Sequence, residues 1–394
     1  MGVQEPSGAP DTGAVRLLDQ RSGRTYPLDA LRWRGDDGAP LTVPPLPALA
    51  PAPERIDSGT RSLWRYRAAL PLPAGTAPVS LGEGVTPLVE REWAGVPVRF
   101  KLEWFNPTGS FKDRGASVMI SALAAHGVTE VVEDSSGNGG SAVAAYCAAA
   151  GIAAEILVPE GTSAAKVLQT RAFGARITTV PGTRDATAAE ALRRSERVPY
   201  AGHNWHPYFL QGTKTLAYEL WEDLGFTAPD AVVTPAGAGS IVLGLDLGFS
   251  ELLAAGLIPR LPRLLVAQPA ACAPLDAAVR GVPVPPFGPT IAEGTAIREP
   301  VRLPEVVAAV RRSGGATAAI PEADIAAALR GLAAAGLYAE PTSATAAAAV
   351  RVFAQCGDLR AGETTAVVLT GSGLKAAGTM AGLFTEDAAE DAAA

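Results

Sequence analysis

From residue 96 onward the chain alternates short β-rich runs with helical ones, and few architectures accept that rhythm. β-rich runs fall at 96–102, 129–133, 154–158 and 176–180, separated by helical patterns after Lys112 and at 141–150 and 163–173. The alternation resumes with β-rich runs at 231–234, 263–267 and 365–370. Parallel strands cannot be joined by tight turns and need a crossover, usually a helix, so this order predicts parallel sheets covered by helices. A chain of 394 residues exceeds the size at which one apolar core stops growing. Two α/β domains are therefore expected.

Composition narrows the function classes. The net charge is −7 and no run of lysine or arginine occurs, so there is no electrostatic footprint for nucleic acid and no such partner is expected. Three widely spaced cysteines, Cys147, Cys272 and Cys356, imply no disulfide framework. No apolar run reaches the roughly 18 residues of a membrane span, and residues 1–9 lack a charged leader with an apolar core. A soluble, cytoplasmic enzyme acting on a small molecule is the expectation. The ends, 1–12 and 384–394, are polar or low in complexity and are expected to fray.

Lysine usage then singles out one position. Five lysines, Lys101, Lys112, Lys166, Lys214 and Lys375, stand against 28 arginines. Lys112 lies in the decapeptide 106–115, Asn-Pro-Thr-Gly-Ser-Phe-Lys-Asp-Arg-Gly, at a loop-to-helix junction. Unlike arginine, a lysine can lose its proton, act as a nucleophile and form a Schiff base. Taken alone, the stretch fits a solvated lysine in the first turns of a helix as well.

Three strand-to-helix junctions add candidates. Thr234-Pro235-Ala236-Gly237-Ala238-Gly239-Ser240 follows a β-rich run and leads into an apolar helical stretch, so Gly237, Ala238, Gly239 and Ser240 can wrap an anion with backbone N–H groups at a helix N-terminus. Glycine serves tight βα turns for steric reasons too. Ser135-Ser136-Gly137-Asn138-Gly139-Gly140 forms a second such turn, with Ser141 or a neighbour as the helix N-cap. Thr370 ends the buried run 367–370 and presents its hydroxyl at the C-terminal end of a strand, where open α/β sheets place ligands.

The decapeptide 106–115 resembles the cofactor-lysine motif of the threonine synthase family. Further matches follow in family order: 63–66, 80–88, 135–139, 212–215, 235–240, 340–344 and 370–375. The resemblance covers roughly residues 60 to 380. It implies the two-domain type II fold of pyridoxal 5'-phosphate (PLP) enzymes, the tryptophan synthase β-like fold, with PLP on Lys112 in the interdomain cleft. It also implies Asn138 on the ring's 3′-oxygen, and Ser136 with Gly139 on the substrate carboxylate. The phosphate then falls to residues 237–240 and the ring nitrogen to Thr370. A neutral hydroxyl there moderates the ring as an electron sink and suits elimination and replacement chemistry, with Lys112 shuttling protons.

The implied organisation has a small domain at 110–210, inserted into a large PLP-binding domain made of 54–109 and 211–385, with a disordered tail at 386–394. Residues 14–42 resemble the zinc ribbon that opens many relatives, but Asp19, Ser22, Arg34 and Asp37 stand at the ligand positions. Without thiolates, and with an arginine among them, tetrahedral zinc is not expected. The ribbon fold is expected to survive as two short hairpins, followed by a proline-rich linker at 43–53.

Substrate is the point of departure. Many threonine synthases grip the phosphate of phosphohomoserine with an arginine after Asn-Pro-Tyr, and Phe209 occupies that place here. His203, Asn204, His206 and Lys214 are the remaining donors nearby, with Asn204 and His206 the candidates for substrate binding. Conversion of O-phosphohomoserine to threonine is the first reading. A β- or γ-elimination or replacement enzyme acting on another activated amino acid, such as a phosphoserine-dependent enzyme of the cysteate synthase kind or a secondary-metabolite tailoring enzyme, is the second. A catalytically silent interaction protein is the third, and the intact Lys112, Asn138 and Thr370 argue against it. Oligomeric state stays open, with a homodimer as the state to test.

Overall fold

The computed structural model describes residues 15–73 and 75–391. The stretch 1–12 and residues 392–394 lie outside the described residues. The chain opens with β1 (Arg16–Asp19), β2 (Thr25–Pro27) and β3 (Leu41–Thr42), an antiparallel sheet in the order β2-β1-β3. Its corner is closed by hydrogen bonds. The Asp19 carboxylate accepts from the Ser22 hydroxyl at 2.6 Å and from the amides of Arg21 and Ser22 at 2.9 and 3.2 Å. Gly35 lies so close that a Cβ would stand 2.6 Å from Asp19 Oδ2 and 3.2 Å from Asp37 Oδ1. Arg34 turns away, over the Trp33 ring.

The hairpin β4 (Leu88–Trp93) and β5 (Val96–Leu102) leads through the lysine turn into α1 (Lys112–Ala125). A smaller unit follows: β6 (Glu130–Glu133), α2 (Asn138–Ala150), β7 (Ala153–Pro159), α3 (Ala164–Ala172), β8 (Arg176–Val180) and α4 (Arg184–Arg194). Its three strands are parallel in the order β6-β7-β8. Helices α5 (Pro207–Thr213) and α6 (Thr215–Asp223) return the chain to the larger unit. There β9 (Ala231–Pro235), α7 (Ser240–Ala254), β10 (Arg263–Pro269), α8 (Pro274–Arg280), α9 (Leu303–Arg312), β11 (Ala316–Ile320), α10 (Glu322–Ala334), α11 (Pro341–Gln355) and β12 (Thr365–Leu369) build the large sheet and its cover. The order is β11-β10-β9-β12-β5-β4, parallel except for β4 at the edge.

Strands β9 and β12 are buried at every residue, as central parallel strands with both faces covered must be. Alternate residues feed two cores: Val233 joins the cluster under α10 and α11, while Val232 joins the cluster under α6, α7 and α9. A third core gathers α1, α2, β6 and β7 and is shared with Leu17, Tyr26 and Leu41 of the N-terminal sheet.

Two local expectations change. Helix α2 starts at Asn138 with Gly137 as an N-cap that makes no side-chain cap, so Ser141 lies inside the helix and not at its cap. The cause is close approach: a Cβ at Gly140 would come within 2.0 Å of the Ser135 carbonyl oxygen, so only glycine lets the helix begin so soon after the turn. The last helix, α12 (Ala377–Asp391), carries helical backbone into the stretch expected as a disordered tail from 386, in keeping with its alanine-rich sequence.

Candidate active site

Lys112 is the first residue of α1, and the residues around it in the decapeptide brace the turn that presents it. Asp113 accepts from the Thr108 amide at 2.6 Å and the Thr108 hydroxyl at 2.5 Å, closing the loop. Gly109, with φ of 85°, takes the left-handed bend this requires. Arg114 is fully buried and forks onto Glu103 at 2.7 and 2.8 Å and onto Glu219 at 2.9 and 3.0 Å. A buried guanidinium is tolerated only with such complete pairing. The Phe111 amide donates to the Thr370 carbonyl at 3.0 Å, tying the lysine turn to the end of β12.

The Lys112 ammonium group reaches Ser240 Oγ at 3.3 Å, and stands 4.6 Å from the Phe111 ring centre and 5.6 Å from that of Phe209. Burial lowers its pKa to about 7, the nearby Arg184 charge adds to the effect, and Glu133 and Glu340 oppose it. A lysine so poised is about half free amine at pH 7, the form a nucleophile needs.

Ser240 opens α7 directly after the glycine turn. Gly239 adopts φ of 89°, and a Cβ on it would strike Val306 at 2.3 Å, so the turn admits no side chain there. Neither α7 nor α2 has a side-chain cap, which leaves both sets of first-turn amides to a ligand. The Ser110 hydroxyl in the lysine turn is also buried without a partner among the described residues.

Beyond the lysine, Asn138 and Thr370 meet on one carboxylate. Asn138 Nδ2 donates to Glu340 Oε2 at 3.0 Å and Thr370 Oγ1 donates to Glu340 Oε1 at 3.1 Å. Ser343 Oγ lies 3.2 Å from Thr370 Oγ1. Burial raises the Glu340 pKa, with Asn138, Lys375 and Thr370 pulling it back down. On the smaller unit, Glu133 Oε1 sits 2.5 Å from His203 Nδ1, Gly139 abuts the imidazole, and Phe209 lies edge-on to it at 5.7 Å. Arg184, exposed at the start of α4, acts electrostatically on Lys112, Glu133, Asp134 and His203.

Thus Lys112, Asn138, Ser240 and Thr370 come together, with Gly237, Ala238 and Gly239 forming the turn before Ser240. Ser136 is half-exposed in the turn that precedes α2, and Gly139 lies in that helix's first turn. His206 is placed differently from expectation: its Nδ1 accepts from the Tyr208 amide at 3.3 Å as the N-cap of α5, its ring stacks on Tyr208, and burial lowers its pKa to about 3. A neutral ring spent on a helix cap does not offset an anion. Asn204 has its backbone carbonyl oxygen engaged by Arg302 at 3.0 Å and its Oδ1 buried without a partner among the described residues. Lys214 is buried and paired with Glu251 at 3.0 Å. Glu340, Glu133 and Arg184 received no role from sequence. The first two carried a signal, an acidic residue inside a matched motif and one closing an apolar strand; Arg184 had none.

The family described as pyridoxal-phosphate dependent enzyme matches residues 79–371, which is most of the chain and spans every element named above around the site. The chain belongs to the pyridoxal-phosphate dependent enzymes. Among curated relatives of this PLP enzyme, the threonine synthase of Methanosarcina acetivorans is 33% identical over 351 residues, covering 86% of each chain. That of Mycobacterium tuberculosis is 35% identical over 343 residues, covering 85% of this chain and 92% of the relative. Among solved structures, maize serine racemase superposes with a TM-score of 0.65 at 23% identity, over 78% of this chain and 93% of that one. Threonine deaminase isoform 2 of Solanum lycopersicum gives 0.63 at 23%, over 73% and 79%. These likenesses establish the type II fold of PLP enzymes. The site fits the cofactor: a lysine with a depressed pKa, an uncapped helix behind a glycine turn for a phosphate, and an orphaned hydroxyl in the lysine turn.

Proposed function

We propose that this PLP enzyme is a threonine synthase, converting O-phosphohomoserine and water to threonine and phosphate. The observation that carries the reading is similarity to threonine synthases that runs nearly end to end in both chains, at 35% identity over 92% of the Mycobacterium tuberculosis protein. In this reading Lys112 carries the cofactor and Gly237, Ala238, Gly239 and Ser240 hold its phosphate. Asn138 meets the ring oxygen, Thr370 the ring nitrogen, and Ser136 with the Gly139 amide the substrate carboxylate. PLP supplies the electron sink that lets protons leave carbons next to the amino group. Lys112, with its amine near neutrality, moves those protons.

Phe209 offers the substrate phosphate no charge. Its fully buried ring fills the space over Gly115. A phosphate dianion left without a counter-charge in a dry cleft costs several kcal/mol, and Arg184 is the cation at this wall that makes no hydrogen bond or ion pair among the described residues. Arg184 takes the part given by sequence to His206. Arg184→Ala is expected to raise KM for phosphohomoserine about tenfold or more, the usual effect of losing a hydrogen bond to a charged group, with cofactor colour unchanged.

The deciding assay offers the purified, PLP-loaded protein O-phosphohomoserine and phosphoserine in parallel. Phosphate and threonine are expected from the first alone. Protein that binds PLP yet releases no phosphate from phosphohomoserine would sink the assignment, and release from phosphoserine would favour the other-substrate reading.

A further inference from the structure

The Glu133–His203 pair has no part in holding the cofactor, yet it shares the Phe209 ring with Lys112. Its placement follows from the backbone. The Val132 amide donates to the Pro199 carbonyl at 3.0 Å and the Ala201 amide to the Val132 carbonyl at 2.9 Å, so this segment runs beside β6. That path delivers His203 to Glu133, the residue that ends β6. Nδ1 then lies 2.5 Å from Glu133 Oε1, and the His203 amide donates to Oε2 at 3.3 Å. The ring cannot swing toward α2, because it already fills the space a Cβ on Gly139 would occupy, at 2.6 Å. Its remaining nitrogen, Nε2, has no protein partner among the described residues and is not sealed off from solvent.

We propose that His203 is a catalytic residue of the reaction, exchanging protons with the leaving group and the incoming water, and that Glu133 is the positioning residue behind it. The proposal rests on the threonine synthase reading for its substrate. Three charged groups face the pair: Asp134 from the turn after β6, Lys112 from α1 and Arg184 from α4. Burial and Asp134 push the Glu133 carboxyl well up, while burial, Lys112 and Arg184 push the imidazole well down. The resting pair is therefore a protonated carboxyl donating to Nδ1, with the ring's own proton on Nε2. As the substrate Cγ–O bond breaks, the leaving phosphate oxygen takes the Nε2 proton and the Glu133 proton crosses to Nδ1. Nε2 now holds a free electron pair. It accepts a proton from the water whose oxygen bonds to Cβ, and the Nδ1 proton returns to Glu133. The pair ends as it began, with no net charge moved into the cleft.

Three variants test this, His203→Asn, Glu133→Gln and the double change, each checked for cofactor colour and melting. Phosphate release by the His203 variant is expected to fall by about 100-fold or more in kcat, within the usual range for general acid–base catalysis. The double variant should be no slower than His203→Asn alone, because Glu133 acts only through the ring. A His203→Asn enzyme within about threefold of wild-type kcat, or losses that multiply in the double variant, would overturn the proposal. Nitrogen NMR of labelled histidine gives a substrate-independent arm, with only three histidines to assign. His203 should stay neutral between about pH 6 and pH 8, and its tautomer should change in Glu133→Gln. An imidazolium titrating near the ordinary value would overturn the relay even if phosphohomoserine proved to be the wrong substrate.

Discussion

Burial changes what Lys112 can do more than any contact it makes. With its pKa brought to about 7, the amine is mostly protonated at pH 6 and mostly free at pH 8. Because only the free amine attacks an aldehyde, PLP capture by the apoprotein should speed up by about tenfold across that interval, read as growth of the cofactor's visible absorbance. A rise of about 100-fold would mean that the amine is not depressed, and a flat profile that it is already free at pH 6. Gly115 offers a steric test at the same place, since a Cβ there would stand 2.5 Å from ring carbons of Phe209. Gly115→Ala should destabilise the fold by about 1 to 3 kcal/mol, as overpacking does, and Phe209→Leu in the same chain should restore part of the melting temperature. Lys112, Thr370 and the glycine turn could be read from sequence because each sits in a contiguous motif at a strand–helix junction. Glu340 and Glu133 could not be given roles, because each works through a partner about 200 or 70 residues away, Asn138 and His203 respectively. His206 was misplaced for the converse reason: a neighbour in sequence to the cleft, it spends its Nδ1 on the cap of α5, while Asn204 gives its backbone carbonyl to Arg302.

At the scale of elements, the strands recovered closely are β5 to β10 and β12, the buried β9 and β12 and the partly exposed β8 alike, because each is a short β-rich run set off by helical stretches. The edge strand β4, Leu-Val-Glu-Arg-Glu-Trp, went unread because its exposed, charged residues carry no alternation. β11, Ala-Thr-Ala-Ala-Ile, went unread because its alanines favour helix and only pairing with β10 makes it a strand. The N-terminal sheet shows the limit of motif reading: a resemblance to a zinc ribbon singles out Asp19, but not the hydrogen bonds that gather there. Burial pushes the Asp19 carboxyl up, and hydrogen bonds from Ser22 and Arg21 more than offset it, leaving the pKa lowered. Its stabilisation is thus present above the unfolded carboxylate value and lost as pH falls through the lower folded one. Asp19→Ala should cost about 1 to 3 kcal/mol at neutral pH by orphaning those donors, with the difference from wild type shrinking in acid. Chelator should leave the melting temperature of the wild-type protein unchanged, because thiolate ligands are missing. Stoichiometric zinc in chelator-treated protein would contradict this.

The molecule as a whole carries, beyond its N-terminal sheet, a six-stranded and a three-stranded sheet, each the centre of one unit. Lys375, just beyond β12, spans them: its amine donates to the Thr108 carbonyl at 2.9 Å, Ser141 Oγ of α2 at 3.0 Å and Gln169 Oε1 of α3 at 2.5 Å. Lys375→Met should leave cofactor colour intact and increase hydrogen exchange in α2 and α3, since the amine ties those helices to the Thr108 carbonyl and makes no hydrogen bond to Lys112, Asn138, Ser240 or Thr370. Everything in the functional reading depends on which lysine bears the cofactor, and the five lysines make that directly measurable. The PLP-loaded protein is reduced with borohydride, digested and mapped by mass spectrometry. The cofactor is predicted on Lys112 alone, with Lys112→Ala colourless and unlabelled. Label on Lys166, Lys214 or Lys375 would contradict the account at its centre.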